Sequence, residues 1–223
     1  MVNNKKNIKI KSFGKILILC FLTTCSPKSN NNRIDNTHVE FNQIVDEIVR
    51  YKLNMASVVL AETMPIYKTI PTDSSNNNSQ VSPPDMIIFT DYFFDMMIKR
   101  NLIDSIDAEY MLSTIDSSMT LRIDSNIISK PTVSKNYIDN LFEQDIINLF
   151  KQDYKDAYIC IEEQFGTSCF IEVGTPVFNK SKTNLILSID YLCGYKNGVG
   201  YIFILKKVNG KWIIVEELQR WES

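Results

Sequence analysis

The stretch Gly198-Val199-Gly200-Tyr201-Ile202-Phe203-Ile204-Leu205-Lys206-Lys207-Val208-Asn209-Gly210-Lys211-Trp212-Ile213-Ile214-Val215-Glu216-Glu217-Leu218 decides the fold class. Asn-Gly between two apolar runs is the strongest short-range hairpin signal, because both residues tolerate the positive φ of a type I′ turn. Asn197-Gly198 offers the same signal one strand earlier. Four runs, Cys169 to Phe178, Asn184 to Cys193, Val199 to Val208 and Trp212 to Leu218, therefore predict a four-stranded antiparallel meander over about 168–221. Gly174 and Pro176 fall in the first run, and proline cannot donate to a ladder, so that strand is expected at an edge or with a bulge.

Alternation assigns the faces. Leu185, Leu187, Ile189 and Tyr191 share one side of the second run, and Ile186, Ser188, Asp190 and Leu192 share the other. Asp190 thus stands on a half-apolar face, where a carboxylate is a general base with a raised pKa in a pocket, or else solvated or paired with a neighbouring lysine. In the last run Trp212, Ile214, Glu216 and Leu218 share a mostly apolar side. Trp212 is accordingly expected in the core, the alternative being an exposed sugar-stacking surface, while Lys206, Lys207 and Lys211 are expected in solvent.

Helical patterns precede the sheet. Thr37-His38-Val39-Glu40 fits a capping box, and Phe41, Ile44, Val45, Ile48 and Met55 follow at helical spacing, predicting a helix over 38–56. Pro65, Pro71, the Ser74 to Ser79 tract and Pro83-Pro84 mark an exposed excursion around 72–85. Two shorter helices are read at Asp91 to Ile98 and at Ser105 to Ile115, the second with Ile106, Tyr110 and Met111 on one side; Ile138 to Tyr154 also reads as helical. Asp104, Asp107, Glu109 and Asp116 cluster here, yet without the glycine turn and terminal glutamate of an EF-hand loop, so helix-start acids on a solvated face explain them. The expectation is one α+β domain over 37–223, with N-terminal helices packed on the C-terminal sheet.

The first 24 residues read as an export signal. Lys5, Lys6, Lys9, Lys11 and Lys15 precede the seven-residue apolar run Ile16 to Leu22, far too short for a permanent span. Leu22-Thr23-Thr24-Cys25 then resembles the lipobox of bacterial lipoproteins, although Thr24 replaces the usual small residue. That resemblance implies cleavage before Cys25 and acylation of its thiol, with residues 25–36, which include the three consecutive asparagines Asn30, Asn31 and Asn32, as a tether. Removal of 1–24 takes away five lysines and no acids, leaving 199 residues and moving the net charge from −2 to −7. An acidic body without a basic cluster argues against nucleic acid. A bilayer, reached through the lipid, is the expected partner, with an envelope protein or glycan beyond it.

Catalytic chemistry finds little support. His38 is the only histidine, no CxxC occurs, and neither a GxSxG nor a phosphate loop is present, so no catalytic residue, metal or cofactor is assigned. Cys160, Cys169 and Cys193 remain in a compartment that permits disulfides; Cys160–Cys169 and Cys169–Cys193 are the candidate pairs, and three buried thiols is the alternative.

Phe178-Asn179-Lys180, Leu185 to Asp190, Cys193-Gly194, Gly198 to Tyr201, Lys206 to Val215 and Trp221-Glu222-Ser223 together resemble the C-terminal end of uncharacterised exported lipoproteins common in Bacteroidetes. Such chains finish with a glycine-rich hairpin, a lysine-rich strand and a Gly-Lys-Trp turn. The resemblance implies an envelope address, with the outer membrane as the expected membrane, and no known activity. Gly-Lys-Trp after a hairpin is similar also to cystatin-like folds related to nuclear transport factor two, whose curved sheet wraps a helix around a pocket. Function does not follow from fold; the expectation is a non-catalytic binding or interaction module, and the alternative is a carboxylate-dependent hydrolase or isomerase with a pocket on the sheet face and Asp190 as its base.

Overall fold

The computed structural model describes residues 36–53, 57–68, 87–148, 156–194 and 197–223. Five α-helices and a mostly antiparallel sheet make an α+β protein. Helix α1, Asn36–Ile48, runs on into a π-helical turn, Val49–Leu53, and buries Phe41, Ile44, Val45 and Ile48, the apolar stripe read from spacing. Met55 and the 72–85 excursion lie outside the described residues, as do Cys25 and the signal and tether before Asn36. Helices α2 (Asp91–Lys99), α3 (Ser105–Thr114) and α5 (Ala157–Phe165) begin at Thr90, Asp104 and Asp156, whose side chains accept from the Phe93, Asp107 and Ile159 amides. Those bonds satisfy donors that a helix start leaves open. Helix α4 covers Lys135–Asn148.

The sheet is larger than the C-terminal runs alone imply. Strands β1 (Val58–Leu60), β2 (Ile66–Tyr67), β3 (Ile87–Ile88), β4 (Thr132–Val133), β5 (Cys169–Val173), β6 (Val177–Phe178), β7 (Asn184–Cys193), β8 (Asn197–Val208) and β9 (Lys211–Glu222) follow in the chain. Seven of them form one sheet in the order β4-β1-β5-β7-β8-β9, with β6 also on β7, while β2 and β3 pair separately. Both β1 contacts are parallel. Strand β5 is therefore interior and not an edge. The ladder matches Val173 with Ile189 and Val177 with Ile186, four steps against three, so the Gly174-Thr175-Pro176 stretch carries one extra residue where proline lacks its donor.

Two expectations about turns and faces are corrected. Asn209 (φ 51°) and Gly210 (φ 78°) do make the type I′ turn, but Asn197 pairs with Cys193, so Asn197-Gly198 opens strand β8 and is not the turn. Gly194, which follows the last residue of β7, has φ 70°. On β9, Gly200 matches Trp221 and Tyr201 matches Gln219, leaving Arg220 as a bulge; Ile204 matches Glu216 and Leu205 matches Ile214, leaving Val215 as another. One extra residue reverses alternation. Trp212 and Ile214 pack on the α1 side, whereas Val215 and Leu218 pack on the other.

The sheet thus separates distinct cores. Leu185, Leu187, Ile189, Phe203 and Leu205 meet α1 on one face. On the other, Ile186, Ile202 and Ile204 meet α2 and α3, and Phe170 and Leu192 meet α4 and α5. Within α3 the buried residues are Ala108 and Met111, while Ile106 is 78% exposed and Tyr110 also faces out, so the side expected for those two is corrected. Cys169 and Cys193, directly opposed in the β5–β7 ladder, form a disulfide, and Cys160 is a free thiol.

Candidate functional site

The Asp190 side of β7 leads to a row of residues matched across four strands: Glu172 on β5, Asp190 on β7, Gly200 on β8 and Trp221 on β9. Gly200 has no side chain to interrupt the row. A Cβ at Gly200 would lie 2.5 Å from Asp190 Oδ1 and from Trp221 Cδ1, and one at Gly198 would lie 2.6 Å from Trp221 Cη2. The two glycines therefore let the indole lie on the strand and reach the carboxylate. The bulge at Arg220 brings two successive β9 side chains, Arg220 and Trp221, toward the same point.

Arg220 donates from its guanidinium to Asp190 Oδ2, with side-chain exposures of 15% and 5%. Burial pushes the Asp190 carboxyl up to about 6 even though the arginine opposes the shift. The Trp221 indole N–H also weighs on this carboxylate, although it misses the alignment of a hydrogen bond. Asp190 Oδ1, Trp221 Nε1 and Ser188 Oγ are buried without a hydrogen-bond partner among the described residues. The partner of Asp190 is thus an arginine from the last strand and not a nearby lysine. Sequence reading missed Arg220 because strict alternation gives it no claim on that face; its one available signal was the acidic position on an otherwise apolar strand, which demands a cation.

A second region opens at the start of α1. A cavity of about 590 Å³ is bounded by Phe41, Met119, Leu121, Pro176 and Phe178, with Thr37, His38 and Lys182 completing its lining. Its walls are held by polar ties. Thr175 Oγ1 lies 3.0 Å from the Met64 and Met119 carbonyls, Thr63 Oγ1 accepts from the Leu121 amide at 2.7 Å, and His38 Nε2–H donates to the Arg122 carbonyl at 2.8 Å. Because a carbonyl only accepts, this bond places a proton on Nε2.

Lys182 is positioned by the loop between β6 and β7. Buried Asn179 accepts from the Thr183 and Asn184 amides at 2.8 and 2.9 Å and donates to Asp107 on α3 at 2.8 Å, where Asn184 also donates at 2.7 Å. Lys182 itself has φ 56° and donates to the Thr37 hydroxyl. The capping box is thereby corrected: α1 starts at Asn36, Thr37 accepts from Lys182, and Glu40 turns to the sheet.

Glu40 accepts from Lys207 at 2.7 and 2.8 Å and from the Trp212 indole at 3.4 Å. The Lys207 bond holds the Glu40 carboxyl below its ordinary range. Lys207 is therefore paired and not simply solvated. Trp212 is half-buried, edge-on to Phe178, and borders a smaller cavity of about 290 Å³ with Ile44, Ile48, Leu205 and Ile213. Of the acids weighed for calcium, Asp104 caps α3, Asp107 takes the two asparagine amides and Asp116 accepts from Ser118. No group of three potential metal ligands occurs among the described residues, and none of their helices is long and apolar enough to cross a membrane. No family model, curated protein or solved structure matches the chain.

Proposed function

We propose that the protein is a cell-envelope lipoprotein, anchored through an acylated Cys25 to a membrane, the outer membrane in the preferred reading, and that its folded body is a non-catalytic binding module. The anchor rests on the basic start, the apolar run and Leu22-Thr23-Thr24-Cys25. The binding reading rests on one observation: Asp190, the carboxylate an enzyme would need, is 4% exposed and engaged by Arg220, and it lines neither cavity beside α1. A general base must reach its substrate's proton, and a side chain spent on a buried guanidinium does not. In this proposal the strands from Cys169 to Glu222 are the four-stranded meander of a cystatin-like fold, with β1 and β4 as additions to it.

Metabolic labelling with an alkyne fatty acid tests the anchor. The wild-type chain should carry label and sediment with membranes, and Cys25→Ser should do neither; label kept by the variant overturns the anchor. Hydrolase or isomerase turnover by the purified protein that vanishes in Asp190→Asn, with the fold intact by circular dichroism, would overturn the non-catalytic reading and install the enzyme alternative.

A further inference from the structure

The larger cavity differs from its neighbour in charge. Among the described residues, the smaller one is lined by one acid and one base, Glu47 and Lys52, whereas the larger has Lys182 and no carboxylate in its lining. Glu40, an acid that interacts with Lys182, already accepts two hydrogen bonds from Lys207. Five apolar side chains with a few convergent polar groups at one end, in a volume of about 590 Å³, match the usual small-molecule site.

The position of Lys182 strengthens the argument. A lysine with φ 56° occupies backbone space that suits glycine or asparagine, and it is held there by Asn179, whose bonds lock the loop to α3. Strain of this kind persists where the surroundings over-determine it, and here it sets the Lys182 backbone beside α1, from where its ammonium donates to the Thr37 hydroxyl that also lines the cavity. Thr37, which shares that rim, lies only twelve residues after Cys25, so at most about 40 Å of chain separates the cavity from the proposed point of acylation. A hydrophobic site so tied is within reach of membrane amphiphiles.

We infer that the cavity bounded by Phe41, Leu121 and Phe178 binds the hydrocarbon chain of an anionic amphiphile, a fatty-acid-like molecule whose carboxylate docks on Lys182. This deepens the binding-module reading by giving it a site and a ligand class. The test uses the full chain in its own membranes, exposed to a diazirine-bearing fatty acid or to the alcohol of the same chain length, irradiated, and mapped by peptide mass spectrometry. Acid-derived adducts should concentrate on the peptides carrying Phe41, Leu121 and Phe178. Leu121→Trp, which puts a larger ring on the cavity wall, should lower them. Lys182→Gly, which removes the ammonium and suits the positive φ, should lower acid labelling about tenfold, as expected for one charge-assisted hydrogen bond, and leave alcohol labelling unchanged. Adducts spread over exposed apolar residues such as Ile106, or adducts indifferent to both substitutions, overturn the proposal. Equal labelling by acid and alcohol overturns its anionic half. Because the probe enters from solution, Cys25→Ser should keep the adducts while losing membrane attachment, so failure of the anchor and failure of the ligand are read separately.

Discussion

Among the ion pairs that tie the C-terminal hairpin to the rest of the fold, Asp190–Arg220 on one face of the sheet and Glu40–Lys207 on the other have opposite physics. On the α2–α5 face, Asp190 and Arg220 are 5% and 15% exposed, and burial raises the acid's pKa to about 6 in spite of the arginine. On the α1 face, Glu40 and Lys207 are 37% and 25% exposed, and the lysine's hydrogen bond lowers the acid's pKa. Desolvation wins in the first place and pairing in the second, since the cost of removing a charge from water grows faster with burial than the attraction that offsets it. The buried pair is a fixed clasp between β7 and β9. The half-exposed pair lies beside the cavities and leaves their apolar walls free for a ligand.

The largest expected effect comes from breaking the clasp on one side only. Asp190→Ala leaves Arg220 buried beside an apolar surface and should cost about 3–5 kcal/mol in urea or thermal unfolding. The double change Asp190→Leu with Arg220→Met removes both charges and should recover most of that loss. Equal destabilisation by the single and double variants would show that shape, and not the charge pair, holds β9 in place.

Acidity sharpens the contrast, because the two faces respond with opposite sign. Asp190 has its folded pKa raised from 3.8 to about 6, so its contribution is fully present below 3.8 and is lost as pH rises toward and through 6. Over that window the native state alone holds the proton, worth about 1.4 kcal/mol per pH unit. Glu40 has its folded pKa lowered from 4.5, so its contribution is present above 4.5 and lost as pH falls below. The stability gap between wild type and Asp190→Asn should therefore change steeply between pH 4 and 6, and the gap between wild type and Glu40→Gln only as pH falls below 4.5. Parallel profiles for both variants would refute the assignment.

Trp212 comes next in size. It is half-buried between Phe178 and the Lys207 ammonium, which sits 5.6 Å from its ring centre, so it is neither a full core residue nor an open platform. Trp212→Ala should cost about 2 kcal/mol, below the ~3–5 kcal/mol of a fully enclosed tryptophan. A loss at the upper value would move Trp212 into the core as the sequence alone suggests. No loss, with binding of some glycan abolished, would make it a recognition residue.

What the sequence made legible was whatever depends on local chemistry. The stripe of α1, the extents of α2 and α3 to within a residue or so, and the Asn209-Gly210 turn all follow from capping, spacing and positive φ. The failures arise where one residue more or less changes the count. Val215 and Arg220 are insertions in the β9 ladder, so Leu218 changes face and Arg220 gains Asp190, and alternation has no term for either. Strands β1 and β4 are three and two residues long, too short for a period to register, although the wholly buried Val58-Val59-Leu60 carries the continuous apolar run of a parallel strand. The cavity was illegible because its walls come from residues 37–41, 119–121 and 176–182, which only the tertiary fold unites.

The smallest effect belongs to the half-exposed pair, and it decides what that pair is for. Exposed ion pairs contribute about 0–1 kcal/mol and weaken in salt, because water already solvates both charges and ordering two long side chains offsets the gain. Glu40→Gln should accordingly cost under about 1 kcal/mol, and 1 M salt should erase most of the difference from wild type. Yet Glu40 also ties Lys207 and Trp212 to α1, and the Lys182 charge helps to lower its pKa. With that charge removed, the field of Lys182 is less screened at the cavity rim, so Glu40→Gln should raise labelling by the diazirine fatty acid while stability hardly moves. A fall in labelling would instead show that Glu40 works by fixing the position of α1, and the α1-side pair would then be as structural as the clasp on the opposite face.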